Sequence, residues 1–152
     1  MRALKQWWPA VVWALLIWTF SSEMFSAQST SKLILPILKW LLPSASAKTL
    51  WVIHGYIRKG AHVAEYFVLS LLVLRGVRGK ATGWRWTWGL ATVAMVACYA
   101  SLDEVHQLFV PTRGASALDM LLDTTAGGIA QLTAWWHARR LDRRGENAGG
   151  QT

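Results

Sequence analysis

Apolar positions gather into four long runs separated by short polar stretches: Trp7 to Phe25, Ile53 to Leu74, Trp84 to Leu102 and Ala115 to Trp136. As a helix of about 20 residues, each run reaches across the roughly 30 Å hydrocarbon core of a bilayer. Backbone in contact with lipid has to satisfy its own hydrogen bonds, which selects helices and excludes an open sheet. The pattern predicts an all-α, polytopic membrane protein with about four transmembrane helices in one domain over residues 1–144. The remaining residues, 145–152, contain Gly, Asn and Gln and are expected to be a disordered tail. Arg2 and Lys5 before the first run also have the form of a secretory signal, but cleavage after Ala27 would put Phe25 where a small residue is wanted. An uncleaved first span is expected.

Between the first two runs, Lys32 to Leu42 has Pro36 inside it and Pro43 after it. This stretch is too short to cross and too apolar to stay in water. It reads as a helix lying in the outer interface, with Lys32 and Lys39 reaching to headgroups, or as an ordered loop capping the bundle.

Composition agrees. Apolar residues make up 53% and charged residues 16%, against roughly 25% charged in soluble domains, so a soluble surface would be poorly covered. The net charge of +8 is clustered between apolar runs rather than spread over a solvated face, so no nucleic-acid partner is expected. With four spans, Arg2 and Lys5, the Arg75 to Arg85 loop and the Arg139 to Arg144 tail share one side and carry the whole positive excess. The positive-inside rule makes that side cytoplasmic, with both termini there. Trp7, Trp8, Trp84, Trp86, Trp88, Trp135 and Trp136 sit at the same ends, where indole rings anchor to the interface. Cys98, the single cysteine, lies inside an apolar run and reads as a small packing residue.

Charge inside an apolar span costs about 2.5 to 3.5 kcal/mol at mid-bilayer on insertion scales, so it demands a partner or a function. Here the polar residues lie toward the outer ends of the spans. Ser21, Ser22 and Glu23 end the first; Lys59, His62, Glu65 and Tyr66 share one helix face in the second. The third ends in Asp103, Glu104, His106 and Gln107, with Pro111 and Arg113 following. Ser116 and Asp119 have the form of a capping box opening the fourth helix, and Asp119, Asp123 and Gly127 line one of its faces. Gly127 and Gly128 permit close helix approach.

The cluster has three readings: an ion-pair and hydrogen-bond network joining Lys59 and Arg113 to Asp103, Glu104, Asp119 and Asp123; a ligand or substrate site; or a metal site using His62, Glu65, Asp103 or His106. The last lacks a ligand spacing, so neither a metal nor a cofactor is expected. His54 and His137, at span boundaries, read as interfacial.

The string Lys59-x-x-His62-x-x-x-Tyr66, followed by Asp103-Glu104-x-x-Gln107-x-Phe109-x-Pro111-x-Arg113-x-x-Ser116-x-x-Asp119, resembles the signature of the VanZ-like membrane protein family. Asp123 stands where members usually carry Asn, and Ala126 stands near a family glycine. The resemblance implies a multi-pass protein of the bacterial cytoplasmic membrane. Through the family's namesake it also implies an effect on susceptibility to teicoplanin, a lipid-bearing glycopeptide that acts on outer-face cell-wall precursors.

Two functions follow as expectations. One is a non-enzymatic protein whose outer site, built from Lys59, His62, Glu65, Tyr66, Asp103, Glu104, Gln107, Arg113, Asp119 and Asp123, meets membrane lipids or lipid-linked cell-wall precursors. The alternative is an intramembrane hydrolase or transferase with Asp103 or Glu104 as general base, His62 as acid or base, and Lys59 with Arg113 holding an anionic headgroup. The orientation is tested with a reporter fused after residue 152: a cytoplasm-active reporter is expected to work there and an export-dependent one to stay silent, and the reverse pattern would sink the topology.

Overall fold

The computed structural model describes residues 4–149, and the side chains of residues 4–144. Among the described residues every regular element is helical: α1 (Leu4–Phe20), a 3-10 turn (Glu23–Phe25), α2 (Ala27–Leu41), α3 (Ala47–Arg78), α4 (Trp86–Leu108) and α5 (Ala117–Gly149). The chain is all-α, as its periodicity predicts.

Local chemistry sets the ends. Ser26 and Ser46 start α2 and α3, each accepting a hydrogen bond on Oγ from the backbone N–H three residues on, Ser29 at 3.2 Å and Thr49 at 3.1 Å. Gly79, at φ +61°, ends α3, with its N–H bonded to the Arg75 carbonyl. The apolar run expected as one span to Phe25 stops as α-helix at Phe20, and α1 and the Glu23–Leu41 segment are bent by 70°.

α3 is the centre of the bundle and touches α1, α2, α4 and α5. Its 32 residues make it about 48 Å long. The core is formed by Ala10 and Ile17 of α1, Tyr66, Leu69 and Val73 of α3, Val96 and Ala100 of α4, and Ala126 of α5. Trp13 of α1 donates its indole N–H to the Glu65 carbonyl at 2.9 Å, and the Tyr99 hydroxyl of α4 donates to the Ala14 carbonyl. α1 is thereby fastened to both α3 and α4.

Among the described residues one helix, α3, is long and apolar enough to cross a membrane, and a second crossing is available if bent α1 and α2 count as one span. α4 and α5 coincide with the third and fourth apolar runs but do not meet that measure of hydropathy. The segment between the first two runs is helical and packs on α3.

One expectation is corrected. Cys98 is exposed on α4 rather than packed in the core, because the inner face of that helix is taken by Thr92, Val96, Ala100 and Asp103. The described part of α5 runs on to Gly149. Residues 150–152 and Arg2 lie outside the described residues.

Gly127 lets α5 pass close to α3 and α4. A Cβ there would lie 2.8 Å from Cγ1 of Val96, a stiff side chain with 0% exposure. Ser70 of α3 donates to the Gly127 carbonyl at 2.9 Å, and Gln131 donates to Ser70 Oγ at 2.9 Å, closing a buried polar link. Gly128 has open space at the same position, so only one of the two glycines serves close approach. Gly127→Ala is therefore expected to lower the thermal midpoint, by about 1 to 2 kcal/mol of overpacking. Gly128→Ala is expected to hold or raise it through helix propensity. Thermal unfolding of both variants in detergent checks this, and a rise in both would rule out the tight contact.

Candidate functional site

The C-terminal end of α1, the N-terminal half of α3, the C-terminal end of α4 and the N-terminus of α5 meet at one end of the bundle. The tryptophan-rich ends gather at the other, where Trp7 lies against Gly76 and Trp86 lies 6.4 Å from Trp135.

At the polar end, the break after α1 exposes backbone carbonyls that no helix can satisfy. Two guanidinium groups take them. Arg113, from the loop between α4 and α5, donates through Nη2 to the Phe20 carbonyl at 2.6 Å and the Phe25 carbonyl at 2.7 Å. Arg58 of α3 donates through Nη1 to the same Phe25 carbonyl at 2.7 Å and to Thr30 Oγ1 at 3.3 Å. Hydrogen bonds from charged donors are worth about 1.5 to 3 kcal/mol. Nε and Nη1 of Arg113 are buried with no hydrogen-bond partner.

Glu104 completes the start of α5. Ser116 Oγ accepts from the Asp119 N–H at 3.2 Å, the forward half of the expected capping box, while Glu104 Oε2 accepts from the Ser116 N–H at 2.6 Å. Glu104 thus fills the reciprocal role that a box assigns to its own third residue. Asp119 is left to pair with Lys59 at 3.2 Å, where exposures of 59% and 40% make the pair weak in solvent. Burial draws the Arg113 guanidinium below its ordinary value, and Arg58 acts in the same direction.

Asp103 is fully buried, and its Oδ2 accepts from Ser21 Oγ at 2.8 Å and Gln107 Nε2 at 3.1 Å. His62 Nδ1 lies 3.8 Å from Asp123 Oδ2 and 4.0 Å from Glu65 Oε2, close enough for electrostatic coupling but beyond hydrogen-bond distance. The Tyr66 hydroxyl, Asp103 Oδ1 and both Asp123 carboxylate oxygens are buried without a hydrogen-bond partner. Beside them opens a cleft of about 310 Å³ lined by Arg58, Lys59, His62, Gln107, Arg113 and Asp119, among others.

The structure therefore brings Lys59, His62, Glu65, Tyr66, Asp103, Glu104, Gln107, Arg113, Asp119 and Asp123 to one end. The expected network differs in its partners. Among the described residues Lys59 and Asp119 are its one direct ion pair, and Arg113 bonds carbonyls instead of carboxylates. No three of His, Cys, Asp and Glu are arranged to hold a metal among these residues; His106 stacks on Trp18 at 4.0 Å. His54 is buried, with Nε2 3.1 Å from Thr30 Oγ1. Arg58, Thr30 and His54 escape motif reading. The signal for Arg58 was a cation one residue before Lys59 within an apolar run.

Arg113→Gln is expected to release the Phe20 and Phe25 carbonyls and cost about 2 to 4 kcal/mol, read as a lowered thermal midpoint in detergent. Lys59→Gln, which breaks an exposed pair, is expected to stay within about 0.5 kcal/mol of wild type. Equal effects would remove the clamp from the account.

No curated protein and no solved structure matches the chain. The family model VanZ/LLP1 matches residues 7–138, a range that contains both guanidinium clamps, the Glu104 cap and every residue of the polar end. The chain belongs to the VanZ/LLP1 family.

Proposed function

We propose that this chain is a multi-pass protein of the bacterial cytoplasmic membrane, with four crossings and both termini in the cytoplasm. Its outer polar cleft binds the anionic headgroup of an envelope lipid or lipid-linked cell-wall precursor. Occupancy of that site alters susceptibility to teicoplanin-type lipoglycopeptides.

The observation that carries the reading is the cleft wall itself. Arg58, Lys59 and Arg113 line it against one carboxylate, Asp119. An anionic oxygen entering it would meet charged donors, which make the stronger hydrogen bonds. The distribution of side chains supports the membrane setting. Asp103, Asp123, His54, Thr92 and Gln131 are buried, whereas Leu15, Leu90, Leu121, Ile129 and Leu132 are more than 45% exposed. Such an exterior suits lipid better than water.

A second reading, a hydrolase or transferase for a lipid-linked substrate, is favoured by the position of His62 beside Asp123 and Glu65. In that case His62 is the acid or base, and Lys59 with Arg113 holds the headgroup. Asp103 and Glu104, proposed as bases from the sequence, already accept hydrogen bonds from Ser21, Gln107 and the Ser116 backbone.

Cells carrying the wild-type gene are expected to tolerate at least about twofold more teicoplanin than cells without it, and Lys59→Gln with His62→Ala to lose that difference while the protein still inserts. Loss of lipid-precursor turnover by purified His62→Ala would select the enzyme. Full retention of tolerance in the double variant would remove the cleft from the function.

A further inference from the structure

A second cleft, of about 290 Å³, opens on the other side of the two arginines. Its walls include Phe20, Phe25, Ile34, Ile57 and Ala61, from the break and from α2 and α3. Arg58, His62 and Arg113 line this cleft as well as the polar one, so the two spaces meet at the same three side chains. One space presents Arg58, Lys59 and Arg113 with Gln107 and the Asp119 carboxylate; the other is walled mainly by carbon, with Thr30 and Glu65 its remaining polar members. Apart from those two, a polar ligand would find few partners in the second space, and a plain hydrocarbon would leave the cations of the first without an anion.

We infer that the site takes an anionic amphiphile, with its phosphate or carboxylate head in the cleft of Arg58, Lys59 and Arg113 and one acyl or prenyl chain passing Arg58 into the seam between α2 and α3. This inference rests on the proposed headgroup reading and adds the location and kind of the tail. At about 30 Å³ per water-sized group, the second cleft holds roughly ten such groups, enough for part of one chain and too little for two. The 70° bend between α1 and the segment beyond it keeps the seam open, because Arg58 and Arg113 hold the carbonyls that fix that bend.

The test compares two probes that share a head: glycerol phosphate, and lysophosphatidic acid with a single ten-carbon chain. Affinities are read by calorimetry on the purified full chain in a neutral detergent. The lysolipid is expected to bind wild type at least about tenfold more tightly, the effect of two or more buried methylenes. Ala61→Trp places an indole in the tail cleft from an exposed position on α3. It is expected to shrink the difference to within about threefold while glycerol phosphate binds as before; Ile57→Trp repeats the test should the first variant fail to fold. Equal binding of both probes to wild type, or a gap that survives both tryptophans, overturns the tail site and leaves the headgroup reading standing. Failure of both probes to bind overturns the two together.

Discussion

Two guanidinium groups hold carbonyls that the backbone cannot satisfy for itself. When α1 stops at Phe20, its last turn and the following 3-10 turn point bare C=O groups into the bundle. Left alone, each would cost about 1 to 3 kcal/mol. Arg113 and Arg58 reach them from two other parts of the chain. The bend, the docking of α2 on α3 and the walls of both clefts are built on those bonds.

The rest of the polar interior follows a simpler logic. Where helices pass side by side, most buried polar groups pair with backbone or with one another: Ser70 with Gly127 and Gln131, Trp13 with Glu65, Trp84 with Gln131, whereas the Thr92 hydroxyl has no partner among the described residues. Where helix ends meet, the pairing is incomplete, and unpartnered atoms of His62, Tyr66, Asp103, Arg113 and Asp123 collect.

Much of this was legible from spacing. The common face of Lys59, His62 and Tyr66, the Ser116 cap and the close approach at Gly127 are all consequences of helical period and residue size. What escaped depends on partners far away in the chain. Arg58 carried no role in the sequence reading, because its acceptor, the Phe25 carbonyl, belongs to a break that no pattern announces. Glu104 was grouped with the acids facing Lys59 and Arg113. Its partner is the Ser116 N–H twelve residues on, and side-chain reach across a turn is invisible to periodicity. His54 was read only from its place at a span boundary; the contact with Thr30 that buries it requires α2 to be in place.

The bond from Arg113 to Phe20 spans 93 residues. A ribosome therefore delivers the first helix long before the group that finishes its end, and the early carbonyls have only water, headgroups or Arg58 to meet. The end of the first helix is completed only once the loop between α4 and α5 is in place beside it. A chain truncated before that loop would leave the insertion machinery with an unfinished product rather than a smaller version of the same bundle.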